Sequence, residues 1–71
     1  MRNQNLINVI LLEKVKNKPE EWRVGQALFN YAYEMYPKEA DLIRGTDKDC
    51  FYNDTKCQAF LDELNTLVMQ I

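Results

Sequence analysis

Two prolines, Pro19 and Pro37, constrain what this chain can fold into more than any other residues. Proline has a fixed φ and no amide N–H. It breaks a helix interior, fits a first helical turn, and pushes the residue before it towards extended backbone. The chain is therefore cut into segments 1–18, 19–36 and 37–71, each too short to be more than one or two elements of a single 71-residue domain.

The first segment carries Leu6, Ile7, Val9, Ile10, Leu11, Leu12 and Val15. Such a run suits either a buried strand or a helix, but it continues as Leu-Leu-Glu-Lys-Val-Lys, all good helix formers apart from Val, and no second β-rich segment offers a pairing partner. A second helix is expected from about Pro19 to Tyr36, with Glu20 and Glu21 at the positive end of its dipole. On it, Trp22, Gly25, Phe29, Ala32 and Tyr36 form one apolar stripe and Val24, Leu28, Tyr31 and Met35 a second beside it, which marks a central helix packed on both sides. A short segment, Lys38 to Arg44, ends at Gly45 as a left-handed cap. Thr46 to Asn53 form a polar loop. Asn53 or Asp54 then caps a last helix whose Cys57, Phe60, Leu61, Leu64, Leu67, Val68 and Ile71 share one face. The expected fold is all-α: a compact small helical domain over residues 1–71, of three main helices plus a short connecting helix.

With 46% hydrophobic and 28% charged residues, the chain reads as globular rather than disordered or membrane-spanning. A core this small leaves little room for a deep substrate cavity. Helices one and two offer more apolar surface than the chain can bury, which suggests self-association or another partner. The net charge of −2 lacks the basic balance that drives binding to nucleic-acid phosphates. Its distribution is uneven: Arg2, Lys14, Lys16 and Lys18 face only Glu13 in the first 18 residues, whereas seven acids crowd residues 39–63. The acidic half is either a solvated surface or a DNA-mimic face. The N-terminal apolar run is too short for a secretory core, so a cytoplasmic protein is expected.

The chain contains no histidine, which removes the usual general base and the commonest metal ligand. Cys50 and Cys57 are expected as free thiols, too few for a zinc site and with only Lys48 or Lys56 nearby as a base. Asp47 and Asp49 match the first and third positions of a calcium loop, but Tyr52 stands where Gly is needed and Gln58 where Glu is needed. No catalytic residue, metal site or cofactor is assigned, and the protein is not expected to be an enzyme.

Two constellations stand out. Arg23, Gln26 and Asn30 lie within about 60° of one another around a helix. They form either a polar strip for a small ligand or nucleotide, or internal partners for the 45–53 loop. Gly25 among them suggests close approach of another backbone. The second set is Trp22, Tyr31, Tyr33, Asp47, Asp49, Phe51 and Tyr52, residue types that supply a partner-binding surface when they are not all absorbed by the core. A protein partner, without direct nucleic-acid or membrane binding, is the leading expectation.

These residues fall into a pattern. Trp22, Arg23, Gly25, Gln26 and Asn30 spell W-R-x-G-Q-x-x-x-N, and Arg44, Gly45, Thr46, Asp49, Phe51 and Tyr52 spell R-G-T-x-x-D-x-F-Y. Over residues 20–63 the chain resembles small bacterial and phage proteins that carry both motifs and have no established activity. The resemblance implies a small helical fold in which the two motifs meet, and a setting on phages or other mobile elements where many such proteins bind and inhibit a host protein. The chain departs from the pattern at Cys50, where Pro is expected, which leaves the loop less rigid.

Overall fold

The structure, a computed structural model, describes residues 3–69. Among them are four α-helices and no strand: α1 (Asn3–Lys16), α2 (Val24–Met35), α3 (Pro37–Ile43) and α4 (Cys57–Val68), with a single 3-10 turn over Asp54–Lys56 leading into α4. The all-α expectation is met.

In α1, Ile7, Leu11 and Val15 recur every fourth residue and make up the stripe that packs inward. Lys14 and Lys16 occupy its last turn, where cations oppose the negative end of the dipole, and the Asn17 side chain donates to the Glu13 carbonyl to close it. The rest of α1 is also apolar but uncovered: Leu6, Val9 and Ile10 on one side and Leu12 on another are all exposed.

The second helix starts later than expected. Pro19 to Trp22 form only a turn, closed by the Trp22 N–H on the Pro19 carbonyl, and α2 begins at Val24 with Arg23 as its N-cap in extended backbone. Glu20 and Glu21 therefore stand outside its first turn. The reason is tertiary: the Arg23 side chain is held by the distant 51–54 segment, and its backbone must stay extended to reach there. Gln26 Oε1 accepts the Arg23 N–H at 3.4 Å, and arginine has no acceptor with which to return the bond. From this start, α2 buries Gly25, Ala27, Leu28, Phe29 and Ala32, while Val24, expected on an apolar stripe, is exposed. Helix α2 packs against α1, α3 and the 54–56 turn.

Pro37 sits in the first turn of α3, as its chemistry favours. Beyond Ile43, Gly45 adopts φ +79°, the left-handed conformation that lets the chain reverse. The Asn53 side chain then accepts from the Thr55 N–H at 3.0 Å and fixes the start of the last helical segment. Helix α4 buries Phe60, Leu61 and Leu64, with Cys57, Leu67 and Val68 partly covered; Ile71 lies outside the described residues. The one buried polar residue among those described is Asn65, whose amide donates to Asn8 of α1 at 2.9 Å and to the Leu61 carbonyl at 2.7 Å.

Candidate functional site

The two sequence motifs meet through Gly25. A β-carbon there would collide with the Cys50 carbonyl oxygen and lie 2.9 Å from Asp54 Oδ1, so only glycine lets α2 approach the loop this closely. The contact is then stitched by polar groups. Asp54 accepts from the Gly25 N–H at 3.0 Å and from the Arg23 guanidinium at 3.2 Å, while a second Arg23 nitrogen donates to the Phe51 carbonyl at 2.5 Å. Cys50, fully buried, donates its thiol to the Gly25 carbonyl at 3.2 Å. Burial pushes the Cys50 thiol strongly upward, helped by the neighbouring Cys57 thiol and Asp49, and burial raises Cys57 as well. Neither sulfur is poised as a thiolate nucleophile at neutral pH.

The loop is also braced on its other side. Both oxygens of Asp49 are used on backbone amides: one accepts from Gly45 N–H at 2.7 Å, the other from Phe51 N–H at 2.9 Å. Lys56 donates to the Asp47 carbonyl at 2.8 Å, leaving the exposed Asp47 side chain at the loop tip.

This scaffold presents a cleft of about 330 Å³ between α2 and the loop, open on the surface rather than hollowed from the core. Its floor is Phe29 and Phe51, edge to face with ring centroids 5.8 Å apart. Tyr52 packs against Phe51 at 4.8 Å yet is 84% exposed, so one face is propped and the rest is free. On the opposite wall the Arg44 guanidinium lies over the rings of Tyr33 at 5.2 Å and Phe29 at 5.6 Å, with Asp41 3.4 Å away. Asn30 also lines the cleft, and its amide makes no hydrogen bond to the described residues.

The seven aromatic and acidic positions expected to bind a partner divide into two groups. Tyr33, Asp49, Phe51 and Tyr52 belong to the cleft or its frame. Trp22, Tyr31 and Asp47 do not: Asp47 lies instead beside Leu42, Lys48 and Glu63, and positions 31 and 33 point about 200° apart around α2, so Tyr31 faces α1. There Trp22 tilts against it at 5.9 Å and Lys14 lies 5.7 Å from its ring. The polar strip also divides. Arg23 and Gln26 are engaged within the fold, and Asn30 alone faces the cleft. The acidic half is largely engaged too: Asp41 by Arg44, Asp54 by Arg23 and Glu63 by Lys48.

Arg44 and Phe29 are cleft residues that sequence reasoning did not single out as a site. Arg44 does open the R-G-T motif, so a signal was present, but its seat over two rings on α2 depends on where α3 ends in space. Among the described residues, no group of three or more Cys, Asp or Glu is placed to hold a metal ion, and no helix is long and apolar enough to cross a membrane. Comparisons with protein-family models, curated proteins and solved structures gave no match.

Proposed function

We propose that this protein is a non-enzymatic interaction module whose cleft between α2 and the 44–52 loop docks a protein partner. Three longer helices tied by the seven-residue α3 serve as its scaffold. The observation that carries this reading is Tyr52: a large aromatic side chain, 84% exposed, braced from beneath by Phe51 and close to an arginine stacked on Tyr33. Tyr and Arg dominate binding energies when a partner desolvates them, and a ring already held in place loses little entropy on binding. The frame around it is built to keep that geometry, since Asp49, Arg23 and Asp54 tie the loop to α2 and to itself. The motif resemblance adds a setting, a cytoplasmic inhibitor or adaptor encoded on a phage or other mobile element and acting on a host protein.

One observation favours a second reading. Asn30, whose amide has no hydrogen-bond partner among the described residues, lines a cleft walled by Phe29, Phe51 and Arg44, an arrangement that also suits a small planar ligand bearing a hydrogen-bonding edge. It is narrower than a ligand site built on Arg23, Gln26 and Asn30 together, because the first two are already engaged. An acidic DNA-mimic face draws less support, since five of its seven carboxylates are engaged by other groups of the chain.

The experiment is comparative capture. Immobilised wild type, Tyr52→Ala and Arg44→Ala are exposed to a lysate of the source cells, with Leu42→Ala as an exposed control on another face, and retained proteins are quantified by mass spectrometry. The proposal expects at least one protein retained by wild type and Leu42→Ala and depleted about tenfold or more by both cleft variants. Equal retention by wild type and all three variants contradicts it. A thermal shift with nucleotides or aromatic acids, lost in Asn30→Ala, would instead select the ligand reading.

A further inference from the structure

The interaction cleft leaves unexplained the outward face of α1. Leu6, Val9 and Ile10 share one side of the helix and are 58%, 62% and 37% exposed, while the inward stripe is separately complete. Loose folding is not the cause: the accessible surface of 4706 Å² is close to the roughly 4,600 Å² expected of a well-packed chain of this mass. Beside this apolar ridge runs a groove of about 510 Å³ between α1 and α2, lined by Val9, Ile10, Glu13, Lys14, Asn17 and Tyr31. Ridge and groove thus sit on the same helix, the ridge towards its first half and the groove towards its second.

We infer that α1 is a homodimer interface in which two copies pair antiparallel about a two-fold axis near Val9 and Ile10. Such an axis sets residue 6 of one protomer opposite residue 13 of its partner, so each ridge enters the other's groove and both are filled at once. This is the self-complementarity that an isologous contact demands. Electrostatics select the same direction. Antiparallel helix dipoles attract. At 1.5 Å per residue this register keeps the two Glu13 carboxylates about 10 Å apart along the axis, whereas a parallel pair would bring them face to face. Glu13 is also partly neutralised by Lys16 at 3.8 Å in its own helix.

Area bounds the size of the interface. The three exposed aliphatic side chains on this side offer roughly 250 Å² of apolar surface per copy. With the groove walls, a dimer would bury on the order of 900 Å² in total, in the range of weak, transient contacts. The dimer is therefore a weak, reversible one, and the groove's occupant is a second copy of this chain.

Sedimentation equilibrium of the full chain from about 5 to 500 μM tests this. The expected result is a mass rising from 8.4 kDa towards twice that value, and a Leu6→Glu or Val9→Glu chain that stays monomeric with an unchanged circular dichroism spectrum and melting temperature. Orientation is read by oxidative cross-linking: Val9→Cys joins to itself across the axis, while Leu6→Cys, about 10 Å from its mate in an antiparallel pair, does not. A chain that remains monomeric at 500 μM overturns the inference, as does a dimer indifferent to Leu6→Glu and Val9→Glu. A monomer whose α1 face instead binds anionic lipid vesicles, with binding lost in Leu6→Glu, overturns it equally. None of these outcomes involves Tyr52 or Arg44, so the cleft reading stands or falls separately.

Discussion

Gly25 and Cys50 stand backbone against backbone: the α-carbon of one faces the carbonyl oxygen of the other with no room for a methyl group, and the Cys50 thiol returns a hydrogen bond to the Gly25 carbonyl. This contact closes the loop onto α2 and thereby shapes the cleft. Gly25→Ala should gain about 1 kcal/mol of helix propensity and lose more to the clash, because a backbone carbonyl cannot step aside as a side chain can. A net loss of about 2–3 kcal/mol is expected, seen as a lower urea midpoint. Gly45 offers the contrast. A side chain there meets nothing within 4 Å, but the φ of +79° is unfavourable for it, so Gly45→Ala should cost only about 1–2 kcal/mol.

Arg23 carries two long-range bonds from a half-exposed position, to the Asp54 carboxylate and the Phe51 carbonyl. Solvent weakens the ion pair, so the carbonyl bond contributes most. Arg23→Ala should destabilise by about 1–2 kcal/mol, with only a small dependence on salt. Arg23→Lys should recover less than half, since a lysine ammonium lacks the fork that spans both acceptors. Denaturant titrations at low and high ionic strength check both points.

Tyr52 should separate stability from binding. With 84% of its surface in solvent, Tyr52→Ala should shift unfolding by no more than about 0.5 kcal/mol. Its effect on partner affinity should be about 2 kcal/mol, roughly thirtyfold. Calorimetric melting and a binding titration of the same variant give the two numbers.

The buried thiols predict a dependence on alkaline pH. Burial raises Cys50 above its ordinary value of 9.0, and Cys57 moves in the same direction. Above pH 9 the unfolded chain sheds thiol protons that the folded chain keeps, so the folded state binds more protons and stability falls as pH rises. Below that point the contribution is fully present. Replacing Cys50 by Ala costs packing at all pH values, but the difference from wild type should shrink between pH 8 and pH 10.5, by about 1.4 kcal/mol per pH unit at most. Both thiols should also react slowly with iodoacetamide at pH 7.5 in the native protein, and quickly in urea.

Much of the fold was legible before the structure. Pro37 marks the α2–α3 boundary, Gly45 takes its left-handed turn, and the stripe from Phe60 to Leu64 is buried, because each depends on local stereochemistry or strict periodicity. The start of α2 was not legible. Pro19 is a sound helix opener in isolation, but Arg23 is drawn towards Phe51 and Asp54, some thirty residues away, and no local rule encodes that pull. Helix α1 was legible in its apolar surplus. Apolar residues at nearly every angle exceed what its neighbours can cover, and only Ile7, Leu11 and Val15 are buried; which side packs inward depends on where α2 and α4 lie in space. The cleft was half legible: the R-G-T motif and the 51–52 aromatics pointed to the loop, while the Arg44 seat over Phe29 and Tyr33 exists only once α2 and α3 have packed.

The central claim is that the α2–loop cleft is the docking surface, and amide hydrogen exchange on the partner complex tests it most directly. Comparing free and bound protein, the account predicts new protection concentrated in residues 29–33 and 44–52, with residues 58–66 of α4 unchanged. Protection confined to α4 or α3, with exchange over 44–52 unaltered on binding, would contradict it.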